Sequence, residues 1–242
     1  MSQHVVITGA RSGVAVQLAE RLRARGCRLA LISREPPAGD DDTVRADVTD
    51  PAQAAGAFAD VLAMQGRPAD GFVHCVGSTL IAPIERTSAE QFREVFRVNV
   101  DSAFHCIKAY VAQLKAAGQP GSIVLYSSVV AGIGVQSHVA IAAAKGAIEA
   151  MVRSLAADLS GAGIRVNAIA PGLMRSPMTA RMVASEAAAK QISAQYPLGR
   201  HGDAADGAAA ADFLLSADSG WITGQILHLD GGFSAVRPYV RG

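Results

Sequence analysis

The sequence predicts an α/β fold: a single domain built on one doubly wound parallel sheet. Three observations predict it. Short runs rich in Val, Ile and Leu alternate with Ala-rich stretches of helical periodicity, as parallel strands joined by helical crossovers require. The first such run turns into the first helical stretch through a glycine-containing segment, Thr8-Gly9-Ala10-Arg11-Ser12-Gly13. The chain has 242 residues, half of them hydrophobic, which is enough for one substantial core and too few for two comfortable ones.

Seven strands are placed at residues 4–7, 28–32, 43–46, 71–76, 122–126, 165–170 and 225–229. Between the first two, Val14, Leu18 and Leu22 form an apolar stripe at helical spacing, and Phe92, Phe96, Val100 and Phe104 form another. A long helix over 139–159 follows the fifth strand. Pro36-Pro37-Ala38-Gly39 and Gln119-Pro120-Gly121 read as turns rather than linkers, and neither a repeat nor a shift in composition divides the chain.

The 22 basic and 21 acidic residues leave a net charge of +1, with no Lys/Arg block, so neither nucleic acid nor an anionic membrane is expected as a partner. No apolar run is long enough to cross a bilayer. Met1-Ser2-Gln3-His4 leads straight into Val5-Val6-Ile7 with no secretory pattern. Cys27, Cys75 and Cys106 lack the spacing of metal ligands and read as free thiols in a reducing compartment. No metal is expected, and a cytoplasmic location is.

The chemistry-bearing residues recur in order along the chain. Thr8-Gly9-Ala10-Arg11-Ser12-Gly13-Val14-Ala15 sits at a strand-to-helix turn, where glycines let the backbone approach a pyrophosphate and the helix N-terminus offers oriented N–H donors. Ala15 stands where a third glycine is more usual. Ser33-Arg34 ends the second strand, Asp47-Val48 follows the third, and His74-Cys75-Val76-Gly77 ends the fourth. Further on come Val98-Asn99-Val100, the serine pair Ser127-Ser128, Lys145, and Pro171-Gly172 with Ser176. The tail runs Ser219-Gly220-Trp221-Ile222-Thr223-Gly224-Gln225 and then Asp230-Gly231-Gly232.

Taken together these segments resemble the short-chain dehydrogenase/reductase family nearly end to end. The match covers its TGxxxGxG turn, its DV, its NNAG (with Cys75 where the second asparagine stands), its serine strand and its PGxxxT loop. The tail is similar to that of 3-oxoacyl-thioester reductases. The resemblance implies a Rossmann-like sheet, hydride transfer between a nicotinamide and a carbonyl, and a tyrosine that protonates the developing alkoxide. Residue by residue, Ser128 takes the role of the serine that bonds the carbonyl oxygen. Lys145 takes that of the lysine holding the ribose, and Asn99 that of the asparagine that keeps a relay water.

The tyrosine falls on Ile141, thirteen positions after Ser128 and four before Lys145. An isoleucine donates no proton, and losing a general acid costs about 10²–10⁴ in rate. His138, seven residues before Lys145, is the nearest alternative donor in sequence, at a spacing where some enoyl-thioester reductases of the family carry their tyrosine; a histidine at a helix start is more often a solvated or capping side chain. Tyr126 is expected to pack.

For the cofactor, Ser33-Arg34 at the end of the second strand favours NADP(H) over NAD(H), since an arginine there suits a 2′-phosphate. Glu35 beside it complicates that preference. The residues the resemblance sets against the dinucleotide are Gly9, Arg11, Ser12, Gly13, Val14, Ser33, Arg34, Asp47, Val48, Cys75, Val76, Gly77, Lys145, Pro171, Gly172 and Ser176. A substrate lid is expected over about 174–200, where Met174, Met178 and Met182 suit either an apolar pocket or ordinary packing.

Two functions fit. One is an atypical NADP(H)-dependent reductase of a small-molecule carbonyl, such as a 3-oxoacyl or polyketide-like thioester, with its proton coming from His138 or water. The other is a non-catalytic subunit that binds no cofactor and supports an active paralogue. The first implies a homotetramer, the second a hetero-oligomer.

Overall fold

Seven parallel strands form one sheet in the order β3-β2-β1-β4-β5-β6-β7, in a computed structural model that describes residues 2–35, 42–176 and 178–236. They are β1 (His4–Thr8), β2 (Arg28–Ser33), β3 (Thr43–Arg45), β4 (Gly71–His74), β5 (Gly121–Tyr126), β6 (Ile164–Pro171) and β7 (Ile226–Leu229). Each lies within two residues of its expected bounds. The largest difference is β4, which ends at His74 rather than at residue 76. The cause is the neighbouring strand: after Thr8 the chain turns away at Gly9, so beyond the Cys75 N–H to Thr8 O bond of 3.0 Å there is no ladder left to join. The expected turn at 36–39 lies outside the described residues.

Both faces of the sheet are covered, so its strands bury side chains on both sides. Val6, Ala30, Ile32 and Phe72 point into one core, against α2 (Pro51–Gln65), α4 (Ser102–Ala117) and α5 (Val139–Leu159). Val5, Ile7, Leu31 and Val73 point into the other, against α1 (Gly13–Ala24) and α7 (Ala204–Leu215). The helix after β1 therefore packs on one face and the helix after β4 on the other. Where the connections part, the carboxyl ends of β1 and β4 leave a crevice between them.

Each helix has a local cause. Ser12 and Asp50 cap α1 and α2 by accepting N–H bonds from Ala15 and Gln53, and Pro51 sits where its missing N–H costs nothing. α2 stops at Gly66 in the left-handed region, φ +73°. α5 has the expected bounds, and its buried stripe Ile141, Lys145, Ile148, Val152, Ala156 and Leu159 recurs at three- and four-residue steps.

The aromatic stripe from Phe92 to Phe104 corrects the expectation of one continuous face. α3 (Ala89–Phe96) passes into α4 through a π-turn over Arg97–Asp101, in which the Ser102 N–H reaches back five residues to Arg97 O. The wider turn rotates the helix beyond it. Phe92, Phe96 and Val100 still pack inward, whereas Phe104 is turned out and is 52% exposed. A short helix, α6 (Glu186–Ser193), lies within the expected lid. Among the described residues no helix is long and apolar enough to cross a membrane.

Candidate active site

The crevice opens as a cleft of about 370 Å³ above the ends of β1, β2 and β4. Ten of the residues expected to hold a dinucleotide line it: Gly9, Arg11, Ser12, Ser33, Arg34, Asp47, Val48, Cys75, Val76 and Gly77. Gly9 is the tightest of them. Its φ is +70°, and a Cβ there would stand 2.7 Å from the Cys75 carbonyl carbon and the Val76 nitrogen, so only glycine lets β1 turn under the end of β4. Ser12, which lines the cleft, caps α1, and a helix N-terminus favours anions.

Gly13 and Val14 lie behind this lining. Val14 packs under α7, with its methyl carbons 3.2 and 3.4 Å from where a Cβ on Gly207 would sit. Ala15 is fully buried and its methyl group is accommodated in the core beneath the loop. The departure from glycine there leaves the turn intact.

At the outer end, Arg11 and Arg34 are exposed and Arg11 is ion-paired to Glu35. Both partners of the pair are largely in water, so it is cheap to exchange for another anion. Asp47 accepts both the backbone N–H (3.0 Å) and the hydroxyl (2.7 Å) of Thr49, and the hydroxyl bond leads the causes that hold its carboxyl below the usual range. Thr49 lines the cleft and was missed by sequence reasoning, although the Asp-x-Thr spacing that makes this local bond was readable.

At the inner end, Gly77 separates Asn99 from Lys145. A Cβ on Gly77 would lie 3.1 Å from Asn99 Oδ1 and 3.6 Å from Lys145 Nζ. Asn99, on the π-turn, donates to Val95 O (2.9 Å) and to Ser78 O and Oγ (3.2 Å each), clamping the loop after β4 to the helix. Lys145 is 8% exposed, and its ammonium donates to Tyr126 O at 2.8 Å. Among the described residues no carboxylate pairs with it. Desolvation brings its pKa down from 10.5 to about 8. The Cys75 thiol goes the other way: burial pushes it up to about 12, so it stays protonated.

The residues that the resemblance sets against a carbonyl stand beyond the cleft. Ser128 follows β5 in extended backbone, half-buried, with its Oγ 3.4 Å from the Val130 N–H. Ile141 is one turn before Lys145 on the same stripe, 4% exposed, in an apolar cluster with Val95, Ala140 and Ala144 and with Phe96 and Val130 against it. His138 occupies the position just before α5 but makes no capping bond; its Nδ1 donates to Gln136 O at 2.6 Å, so Nε2 is the ring nitrogen not engaged by that bond. Tyr126 packs on the far face of the sheet, as expected, with its hydroxyl donated to Gly207 O at 2.9 Å.

The loop after β6 is fastened by Tyr196, in the segment expected to act as a lid. Leu173 N–H donates to the Tyr196 hydroxyl at 2.7 Å, and a Cβ on Gly172 would meet the Tyr196 ring at 2.8 Å and Asp230 Cβ at 3.2 Å. Pro171, Gly172 and Ser176 are thus held in a fixed loop, Ser176 through Thr179. Tyr196 was not singled out in the sequence, where it looks like any apolar residue before a proline.

Comparison with known proteins agrees with this arrangement. A family profile described as enoyl-(acyl carrier protein) reductase matches residues 9–234. A 2,5-dichloro-2,5-cyclohexadiene-1,4-diol dehydrogenase of Sphingobium indicum is 31% identical over 242 residues, covering 96% of this chain and 97% of that one. A Xanthobacter autotrophicus protein called inactive 2-(S)-hydroxypropyl-CoM dehydrogenase 2 is 34% identical over 224 residues, covering 87% and 96%. The ligand-free structure of Thermoplasma acidophilum aldohexose dehydrogenase superposes with a TM-score of 0.91 at 26% identity, covering 100% of this chain and 97% of that one. The match in profile, sequence and sheet makes this chain a member of the short-chain dehydrogenase/reductase family of oxidoreductases.

Proposed function

We propose that the chain is an NADP(H)-dependent oxidoreductase of small carbonyl or alcohol substrates that works without the family's tyrosine. The observation that carries this reading is Lys145: a lysine with no carboxylate partner among the described residues, buried beside Asn99 and Gly77 at the inner end of the cleft. Burying an ammonium is costly, and packing alone gives no reason to put one there.

The residues fit a dinucleotide. The left-handed Gly9 turns the backbone at the cleft where a pyrophosphate would lie, the N-terminus of α1 begins beside it at Ser12, and Arg34 and Arg11 offer charge to a 2′-phosphate. A nicotinamide bound in this site supplies or accepts the hydride of carbonyl reduction or alcohol oxidation. Lys145 then holds the ribose hydroxyls, the Ser128 hydroxyl orients the carbonyl oxygen, and Asn99 keeps the floor rigid. The Nδ1–H of His138 is committed to Gln136 O, so a proton handed on by this ring comes from Nε2, and water admitted next to Lys145 is the other source.

The substrate class extends to 3-oxoacyl or similar thioesters by the likeness of the tail and of the enoyl-reductase profile. Assembly as a homotetramer has support in the exposed Phe104 on α4 and the fully exposed Trp221. A cytoplasmic location accords with the free thiols and the lack of an apolar helix long enough to span a bilayer among the described residues.

A second reading is favoured by one observation: Ile141 is sealed in an apolar cluster on the face where a hydroxyl is expected. On that reading the chain is a non-catalytic subunit beside an active paralogue, and one of its relatives is itself called inactive. Calorimetric titration with NADPH and NADH separates the two. Trp221 is too exposed to report on the cleft, so heat or nicotinamide fluorescence is the signal. Saturable binding with NADPH preferred supports the oxidoreductase and leads to a carbonyl screen; no binding of either at millimolar concentration overturns it.

A further inference from the structure

We propose that His74 is a positioning residue that ties the glycine loop to the turn carrying Asn99, holding both edges of the cleft in register. The inference rests on reading that cleft as the nucleotide site.

His74 is the last residue of β4 and is 3% exposed, between Thr8 and Ser102, which are both fully buried. Ser102 Oγ donates to Val98 O at 2.6 Å. A carbonyl only accepts, so the single hydroxyl proton of Ser102 is committed there. The 3.0 Å contact between Ser102 Oγ and His74 Nε2 must then be donated by the ring. A neutral imidazole with its proton on Nε2 leaves Nδ1 as an acceptor, and the Thr8 hydroxyl 2.8 Å away donates to it. Three bonds thus run in one direction: Thr8 to His74, His74 to Ser102, Ser102 to Val98.

The ends of this chain of bonds matter more than its middle. Thr8 immediately precedes Gly9, where the backbone makes its left-handed turn under the cleft. Val98 lines the cleft and immediately precedes Asn99 on the π-turn. From His74 itself the backbone continues through Cys75 and Val76 to Gly77, the floor between Asn99 and Lys145. One ring therefore holds three segments that come from distant parts of the sequence. The family pattern sets an asparagine at this position, whose shorter side chain has less reach between a strand and a helix. Burial, assisted by the Lys145 charge on α5, keeps the ring neutral with a pKa of about 3.

The test combines calorimetry with NADPH and NMR of protein carrying ¹⁵N-labelled histidine and asparagine, on wild type, Ser102→Ala, Thr8→Val and His74→Asn. The expected ring signature is Nε2–H, unchanged between roughly pH 8 and 5.5. Ser102→Ala and Thr8→Val should each shift the Asn99 side-chain amide and weaken NADPH about tenfold, with partial recovery in His74→Asn. A lowered melting temperature with NADPH affinity within about twofold of wild type and an unmoved Asn99 amide would reduce His74 to a core residue and overturn the proposal. So would an Nδ1–H ring. Should wild type bind no NADPH, the nucleotide reading falls on its own, and the Asn99 amide in Ser102→Ala still decides: displacement upholds the tie, and no displacement removes it.

Discussion

The two halves of the site are built differently. The nucleotide half is made of backbone turns and hydrogen bonds at the ends of adjacent strands: Gly9 under Cys75 and Val76, Asp47 bonded to Thr49, Asn99 clamped to Ser78. The half proposed to meet the carbonyl hangs on side chains along one helix face, where Ile141, at the position the resemblance gives to a tyrosine, lies in an apolar cluster one turn from Lys145. A backbone cradle survives only as a whole, since each turn positions the next. A side-chain half can lose one member while its helix folds unchanged. Binding and chemistry are therefore separable in this fold, and single substitutions can pull the halves apart.

The largest effect is expected from Gly9→Ala. A left-handed φ together with the 2.7 Å approach to backbone costs at least about 2 kcal/mol of stability, and NADPH binding should vanish from the calorimeter. A variant that bound normally would show that the cradle does not depend on this turn. Ile141→Tyr tests the other half. Restoring the acid should raise kcat by about 10²–10⁴ in a carbonyl-reduction assay if Ser128 and Lys145 are otherwise in place. The larger side chain should also cost about 1–3 kcal/mol in denaturant melts by overfilling the cluster. Unchanged turnover with NADPH bound would mark the carbonyl half as non-catalytic.

Arg34→Ala should weaken NADPH about tenfold by removing a charge-assisted contact, and leave NADH nearly untouched. Equal losses for both nucleotides would remove Arg34 from the 2′-phosphate. The smallest effects are in pH dependence, and they fall on opposite ends of the scale. The folded pKa of Lys145, about 8, lies below its ordinary 10.5, so between those values the unfolded chain holds a proton the folded one lacks and stability rises with pH. For His74 the interval runs from 6.5 down to about 3, and stability falls as acid is added through it. Urea melts of Lys145→Met and His74→Asn across pH should each lose one of these slopes.

Much of this was legible in the chain. Strand positions follow from runs of apolar residues buried on both faces, and the α5 bounds from its stripe, because both patterns repeat within a few residues. The caps Asp50 and Asp203 were equally readable, the latter in a capping box with Asp206, yet α2 and α7 are so rich in Ala that no sharp stripe announces them. The ten cleft residues met as expected because each stands next to a strand end, and parallel strands put their carboxyl ends on one edge.

What the sequence determined by itself, then, was the fold, the family and the edge of the sheet where the site lies, all of which depend on short-range pattern and order. The tertiary structure decided the rest. It buried Lys145 with no carboxylate partner among the described residues, sealed Ile141 among Val95, Ala140 and Ala144, bonded His138 Nδ1 to Gln136, and joined Thr8, His74 and Ser102. Burial and hydrogen-bond direction arise from residues far apart in the chain meeting at fixed distances, and no local pattern encodes that meeting.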